Sequence, residues 1–480
     1  MNALKLTESI KNREISVAEV VNSCIQKIEE INPQINAFLT ISKESALEKA
    51  AMVQAQIDNG ESVSPLAGVP IALKDNISTK DIETSCSSKM LSGYSPIYNA
   101  TVVDKLESAG MIVIGKTNMD EFAMGASAIG INDTVRNPWD LSRIAGDGSA
   151  AAIAAGTVPL TLATDAGGSL RQPCSFCGVT GIKPTYGAVS RYGAITAAPS
   201  LDQIGTIAGD INENVALLSI ISGPDNMDGT CVMDKPFEFG TNAGERLDGI
   251  KIGLPRNYFD GEISNDVKNA VLAGVAEFEA AGASVTEFEM PLMEYILPAF
   301  YIISCAEASS NMAKFDGLRY GYRSENAKSL SEVYRLSRSE GFGLEVKRRI
   351  MSGSFVLSSG HYDAFYKKAL QVRAQVKETY NKLFERFDFI LSPISPATAS
   401  KIGENIDEPL KMYMNDIYTA SVNLAGLPAV AMPCGFDESG LPIGLQLIGN
   451  SFSEAKLITA GQVFQTRTDY HIARPTGGVA

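Results

Sequence analysis

The 480-residue sequence predicts an α/β fold, a sheet covered on both faces by helices. Three observations lead there. Helical runs alternate with short, wholly apolar runs of strand length, the pattern of a sheet buried on both sides. The composition, 45% hydrophobic and 20% charged, suits a globular chain with a sizeable core. No internal repeat, low-complexity segment or long flexible linker interrupts it, so 1–480 is expected to form a single domain.

The elements follow in order. The N-terminal region, about 5–60, reads as helical. Ser16 and Glu19 fit a capping box, and Val17, Val20, Val21, Cys24, Ile25, Ile28 and Ile31 recur at helical spacing until Pro33, which is expected to end the run. A second helix spans about 43–58 and stops at Gly60. "GVPIALKDNI" (68–77) is a short apolar strand ending in a charged turn. "TVVDKLESAGMIVIGK" (101–116) reads as helix, glycine stop and buried strand, and "PLTLATD" (159–165) as another strand. The irregular polar stretch at about 222–248 is the best candidate for a boundary. Beyond it, "IKIGLP" (250–255), a helix at 265–281 and "ASVTEFEM" (283–290) make a strand-helix-strand unit. A helix at 369–386 feeds "FDFILSP". "AVAMP" (429–433) and "IGLQLIG" (443–449) bracket a turn, and a last helix covers about 453–467.

Several function classes are disfavoured. The opening residues lack the apolar middle of a secretion signal, and no apolar run is long enough to span a bilayer, so a cytoplasmic protein without membrane association is expected. The net charge of −14 opposes direct nucleic-acid binding, "EVKRRI" (345–350) being the only dense basic cluster. Seven cysteines, an odd number mostly in apolar surroundings, read as reduced thiols. Only two histidines, His361 and His471, are present, which disfavours a zinc site and a Ser-His-Asp triad.

"RIAGDGSAAAIAAG" (143–156) satisfies the glycine pattern of a dinucleotide-binding loop, and Asp165 lies about twenty residues on. That reading needs a buried strand before Gly146, and Pro138, Asp140, Ser142 and Arg143 spoil one. No Walker pattern is present. The blander reading is a helix of small residues packed closely against its neighbours.

"TDAGGSLRQP" (164–173) follows the strand at 159–163. Successive glycines before Ser169 permit a tight turn that exposes a hydroxyl and leaves backbone N–H groups to face an oxyanion. A serine needs a base, and with histidine so scarce lysine is the next candidate. Lys74 ends the apolar strand 69–73, where desolvation favours a neutral amine. The alternative for Lys74 is a salt bridge with Asp75, and composition does not choose between them.

"LKDN", "GKTNMDEFAMG", "RNPWDLSR", "GSAAAIAAG", "TDAGGSLRQPCSFCGVTGIKPTYG" and "SLDQIG" together resemble the amidase signature family. "YNATVVDKLESAG", "EASSNMAKFDGLRYGYRS", "RSEGFGLEVKRRI", "SSGHYDAFYKKAL" and "NLAGLPAVAMPCG" extend the likeness, over roughly 5–470, to its branch of A subunits of bacterial glutamyl-tRNA(Gln)/aspartyl-tRNA(Asn) amidotransferases. The resemblance implies the amidase signature fold, one large mixed sheet wrapped by helices. It also implies glutamine hydrolysis with ammonia passed to a B subunit, where ATP and Mg²⁺ act; a C subunit completes the assembly, and this chain itself needs no cofactor or metal. By position, Ser169 matches the nucleophile and Lys74 the base. The amides of Ala166, Gly167, Gly168 and Ser169 match the oxyanion hole, Arg349 the anchor for the substrate α-carboxylate, and Asp416 the anchor for its amino group. As alternatives, Arg349 is a helix-surface charge and Asp416 a helix cap.

The family's P-G-G-S-S-G-G-S loop is here A-G-D-G-S, three residues shorter. Ser149 matches its last serine, and the relay serine, which the family holds with a cis peptide bond, has no counterpart. "GASAIGINDTVRNP" and the "TDAGGSL" and "QPCSFCG" segments also depart from the family, the last placing Cys174 where alanine is common. Clustering of these changes around the site implies an altered substrate or activity. Three outcomes compete. Hydrolysis persists, with Lys74 serving Ser169 directly, through water, or through Ser149 or Asp147 moved into the gap, although Asp147 beside Lys74 would favour the charged amine and oppose a base role. Alternatively, the pocket handles another amide, ester or thioester, as a hydrolase or a biosynthetic acyltransferase, with Cys174 as a substitute nucleophile or merely a buried thiol. Lastly, the chain is a non-catalytic scaffold within a larger assembly.

Overall fold

A computed structural model describes residues 2–125, 133–235, 237, 239–240, 244–404 and 409–475. Of the segment "GASAIGINDTVRNP", expected to depart from the family, residues 126–132 lie outside the described residues. Strands are β1 (Phe38–Ile41), β2 (Pro70–Lys74), β3 (Ile112–Thr117), β4 (Arg136–Asn137), β5 (Asp140–Ile144), β6 (Leu160–Asp165), β7 (Thr180–Lys183), β8 (Gln203–Ala208), β9 (Lys251–Pro255), β10 (Ser284–Phe288), β11 (Phe389–Pro393), β12 (Ala429–Phe436) and β13 (Pro442–Gly449). Eleven of them form one sheet in the order β1-β3-β2-β6-β8-β7-β12-β13-β11-β9-β10. Its pairings are mixed: β3-β2-β6 and β11-β9-β10 run parallel, and the remaining neighbours antiparallel.

Side chains alternate across this sheet into two apolar layers. Ile71, Leu73, Val113, Leu160 and Leu162 enter one core. Ala72, Ile112, Ile114 and Ala163 enter the other, together with Ala150, Ala151, Ala152 and Ala154 of the helix Gly148–Ala154. Both faces being covered, the strands carry continuous apolar runs, which is why they were legible.

The helix Val17–Ile35 starts at the expected capping box, with Ser16 and Glu19 bonded reciprocally. It does not end at Pro33 but carries that proline in its last turn and stops at Asn36, which adopts a left-handed conformation with φ 54°. Because only two residues follow the proline, the helix forfeits little by its missing donor. The residues before Gly146 do form a strand, β5, but it pairs with β4 in a separate, partly exposed hairpin, bridged to Lys401 through Arg143, and not within the large sheet. The strand-helix-strand unit at 250–290 is present as β9, the helix Asn265–Ala280 and β10, the two strands being parallel. No described helix is long and apolar enough to cross a membrane.

Three parallel neighbours end together. Lys74 and Thr117 are register partners at the carboxyl ends of β2 and β3, and Asp165 ends β6 beside them. Open α/β sheets place their sites at such edges, because the loops leaving the strands converge there.

Candidate active site

Period-two alternation sends Lys74 to the same face as Ala72, the face covered by the helix Gly148–Ala154. That helix begins at Asp147, whose Oδ1 accepts from the Ser149 N–H at 2.7 Å. Its Oδ2 lies 2.6 Å from Lys74 Nζ, and both side chains are buried. Asp75, on the opposite face, is held instead by Ser85 and Ser87 and pairs with Lys116 at 3.7 Å. The sequence neighbour is therefore not the partner of Lys74. Gly148 is required at this closure, since a Cβ there would collide with the Ala37 carbonyl and the Asn118 backbone.

Ser169 sits in the turn between β6 and the helix Arg171–Cys177. Its hydroxyl donates to the Thr164 carbonyl at 3.0 Å, and Lys74 Nζ reaches the same oxygen at 3.4 Å. Hydroxyl and amine are thus gathered on one acceptor. Gly168 adopts φ +135° beneath the Thr419 hydroxyl, a conformation and a space closed to other residues. Its N–H donates to Asp165 Oδ1 at 2.8 Å. Of the four amides expected to face an oxyanion, this one is occupied, whereas no described residue accepts from those of Ala166, Gly167 and Ser169. Ser149 Oγ lies 2.8 Å from Thr117 Oγ1, so that hydroxyl is directed at β3.

Ala166, Gly167, Ser169, Arg349 and Asp416 line one cleft. Arg349 projects from the helix Leu344–Val356 and is buried, not a surface charge. Glu345 accepts from its Nε at 3.0 Å, and the Tyr301 and Tyr413 rings stand 5.3 and 5.8 Å from the guanidinium. Burial works against this charge, but Tyr301, Cys305 and Glu345 outweigh it and hold the guanidinium more firmly protonated than usual. Asp416 accepts from Gln172 Nε2 at 2.8 Å and from the Tyr301 hydroxyl at 2.5 Å. Burial raises its carboxyl above the ordinary range, against those hydrogen bonds and the charge of Arg349.

With this geometry in place, comparison with known proteins is informative. The profile of the family described as "Amidase" matches residues 19–458. The chain belongs to the amidase family. It is 50% identical over 472 residues to the A subunit of the glutamyl-tRNA(Gln) amidotransferase of Agathobacter rectalis, covering 97% of this chain and 93% of that protein. The crystal structure of the corresponding subunit from Thermotoga maritima shares 36% identity and a TM-score of 0.78, with 95% of each chain covered. The peptide amidase of Stenotrophomonas maltophilia superposes with a TM-score of 0.84 at 25% identity, covering 99% of this chain and 98% of that one.

In this amidase the thiol of Cys174 lies on the far side of its helix from the cleft, completely buried and packed where β7 has Gly181. Burial pushes it far above the usual thiol range, with Cys177, Asp147 and Asp165 adding to the shift, so it lacks the thiolate character of a nucleophile. His361 lies in an exposed aromatic group with Phe355 and Phe365, and neither it nor His471 lines the cleft.

Arg171 is the residue that sequence reasoning missed. It is fully buried two positions after Ser169 and grips Asp165 with Nε at 3.0 Å and Nη2 at 3.1 Å. Gln446 and the Thr419 carbonyl take further donors at 2.8 and 3.1 Å. Burial alone would raise the Asp165 carboxyl; the charge and hydrogen bonds of Arg171, with Lys183 and Asn423, hold it at about 2. The pair fixes the backbone that presents Ser169. A charge inside a stretch otherwise made of small and apolar residues was the available signal. Tyr301 and Gln172, which orient Asp416, were missed as well.

Proposed function

We propose that this amidase is the glutamine-hydrolysing A subunit of a tRNA-dependent amidotransferase. The observation that carries the reading is that a serine hydroxyl, a buried guanidinium and a half-buried carboxylate face one cleft. Free glutamine offers the matching groups: a carboxylate for Arg349, an ammonium for Asp416 and a side-chain amide for Ser169. Attack by Ser169 Oγ on the amide carbon builds an oxyanion toward the amides of Ala166, Gly167 and Ser169. Collapse releases ammonia, and water then frees glutamate. Identity with the A-subunit relatives over nearly the whole chain supports the same assignment. On this reading the ammonia passes to a B subunit that uses ATP and Mg²⁺, a C subunit joins the complex, and the assembly works in the cytoplasm on charged tRNA held by the partners. This chain supplies residues, not a cofactor. Ser149 serves as a support for the lysine rather than as a bridge to Ser169, because its hydroxyl is turned to Thr117.

Ammonia release by the chain assembled with B and C subunits tests this. Hydrolysis of L-glutamine is expected to exceed that of simple amides lacking the α-substituents. Arg349→Lys should raise KM for glutamine about tenfold or more through loss of the two-pronged contact, with little change for an amide that has no carboxylate. Equal turnover of both substrates by the wild type, unaffected by this substitution, would refute the assignment.

A further inference from the structure

We infer that Asp147 is a proton store for Lys74, so that the buried Lys74–Asp147 pair takes over the activation of Ser169 for which the loop holds no relay hydroxyl. The inference rests on the reading of Ser169 as nucleophile given above.

Three contacts carry it. Asp147 Oδ2 lies 2.6 Å from Lys74 Nζ, within a strong hydrogen bond. Asp147 Oδ1 is fixed by the Ser149 N–H at 2.7 Å, so the carboxylate cannot turn away. Lys74 Nζ and Ser169 Oγ meet on the Thr164 carbonyl, at 3.4 and 3.0 Å. The hydroxyl at the start of the alanine helix, that of Ser149, is engaged by Thr117. Among the described residues no hydroxyl therefore stands as a bridge, while a carboxylate stands on the amine.

The chemistry balances without an outside reagent. An ammonium has no lone pair with which to take the serine proton. Moving one proton from Lys74 Nζ to Asp147 Oδ2 breaks an N–H bond, forms an O–H bond and leaves a neutral amine beside a neutral acid. At a buried site the penalty falls on the charges, which brings the neutral form of such a pair closer in energy to the charged one. The amine then takes the Ser169 proton as Oγ bonds to the amide carbon. On collapse Lys74 returns that proton to the departing nitrogen, ammonia leaves, and Asp147 gives its proton back to Lys74. Water repeats the sequence in place of the serine. Asp147 touches no substrate atom; it is a positioning residue that acts through Lys74.

Asp202 aside, the charged groups around the pair are engaged elsewhere. The helix Gly148–Ala154 packs on β2, β3, β6, β8 and the helix Arg171–Cys177. Of the charged groups on those elements, Lys116 is paired with Asp75, and Asp165 with Arg171. Cys174 and Cys177 face Asp147 as thiols raised by burial. Asp202 faces Lys74 from the segment before β8; burial raises it to about 6 against the pull of Arg191 and Lys74, so it is ionised above neutrality.

The test is the rate of fluorophosphonate labelling, with kcat and KM for glutamine hydrolysis, in the assembled protein. Asp147→Asn should label about 10²-fold more slowly or worse and lose kcat alike, since the amine then has no carboxylate to take its proton. KM for glutamine should not change. Asparagine and serine both cap helices, so Asp147→Asn and, should it misfold, Asp147→Ser keep the helix start. A labelling rate and kcat at the wild-type level in these variants, or a loss confined to KM, overturns the inference. Labelling that persists in Ser169→Ala would instead overturn the nucleophile assignment beneath it.

Discussion

Ser169→Ala is expected to abolish capture of a fluorophosphonate and to lower amide hydrolysis by about 10⁴-fold or more. Loss of a nucleophile removes the covalent route altogether, and what survives is the residual effect of binding and of the oxyanion amides. The size of the loss depends on there being no substitute. The nearest candidate, Cys174, is completely buried and its thiol is pushed far above the usual range by that burial. Ser149 is turned to Thr117. Cys174→Ala is therefore expected to label like the wild type. Intact-mass measurement of the adduct decides the matter: an adduct in Ser169→Ala that disappears in Cys174→Ala would transfer the role to the thiol, and no adduct in the wild type would favour a non-catalytic scaffold.

Much of the fold could be read locally, because a sheet buried on both faces writes its strands as short apolar runs between turn residues. β2 lies within the expected "GVPIALKDNI", β3 closes "TVVDKLESAGMIVIGK" one residue beyond its end, and β6 lies within "PLTLATD". What could not be read was what depends on distant partners. The helix Met293–Met312, which lines the cleft with Phe300 and Ser304 and brings Tyr301 to Asp416, is apolar around most of its circumference and contains Pro298, so no amphipathic stripe marks it. The partner of Lys74 was left open between Asp75 and Asp147. Adjacency in sequence offers Asp75, but successive strand residues point to opposite faces, so the pair at Lys74 and Asp75 is the one that the geometry forbids. Leu73 is the register partner of Lys116, which puts Lys116 on the face that Asp75 reaches and leaves Lys74 to Asp147. The resemblance to the amidase family assigned roles to Ser169, Arg349 and Asp416, which line a common cleft; it assigned none to Asp147.

Arg171→Met should destabilise the protein by about 3–5 kcal/mol and slow Ser169 labelling as well, although Arg171 does not line the cleft. Methionine nearly preserves the volume, so the effect isolates the charge. Asp165 would keep a buried carboxylate whose guanidinium partner is gone, and an unpaired buried charge is the costly half of a broken pair. The same carboxylate holds the N–H groups of Gly168, Leu170 and Arg171 at 2.8, 3.3 and 3.4 Å, so any shift of Asp165 moves the turn that carries Ser169. Acid titration of the wild type gives the second reading. Asp165 is held at about 2, below its ordinary 3.8, so its ionisation stabilises the fold above about pH 4, by about 2 kcal/mol, and this stabilisation is lost as pH falls through about 2. In Arg171→Met the main lowering influence is gone and only Lys183 and Asn423 remain against burial, so the acid-dependent loss should shrink or change sign. Urea unfolding midpoints at neutral and acid pH measure both effects. The double variant Arg171→Met, Asp165→Asn should recover part of the neutral-pH stability, because it removes the stranded charge, while labelling stays low for want of the carboxylate that orders the turn. Full stability in Arg171→Met alone would mean that Asn423 and Lys183 suffice to hold Asp165, and the pair would then be a consequence of the packing rather than its support.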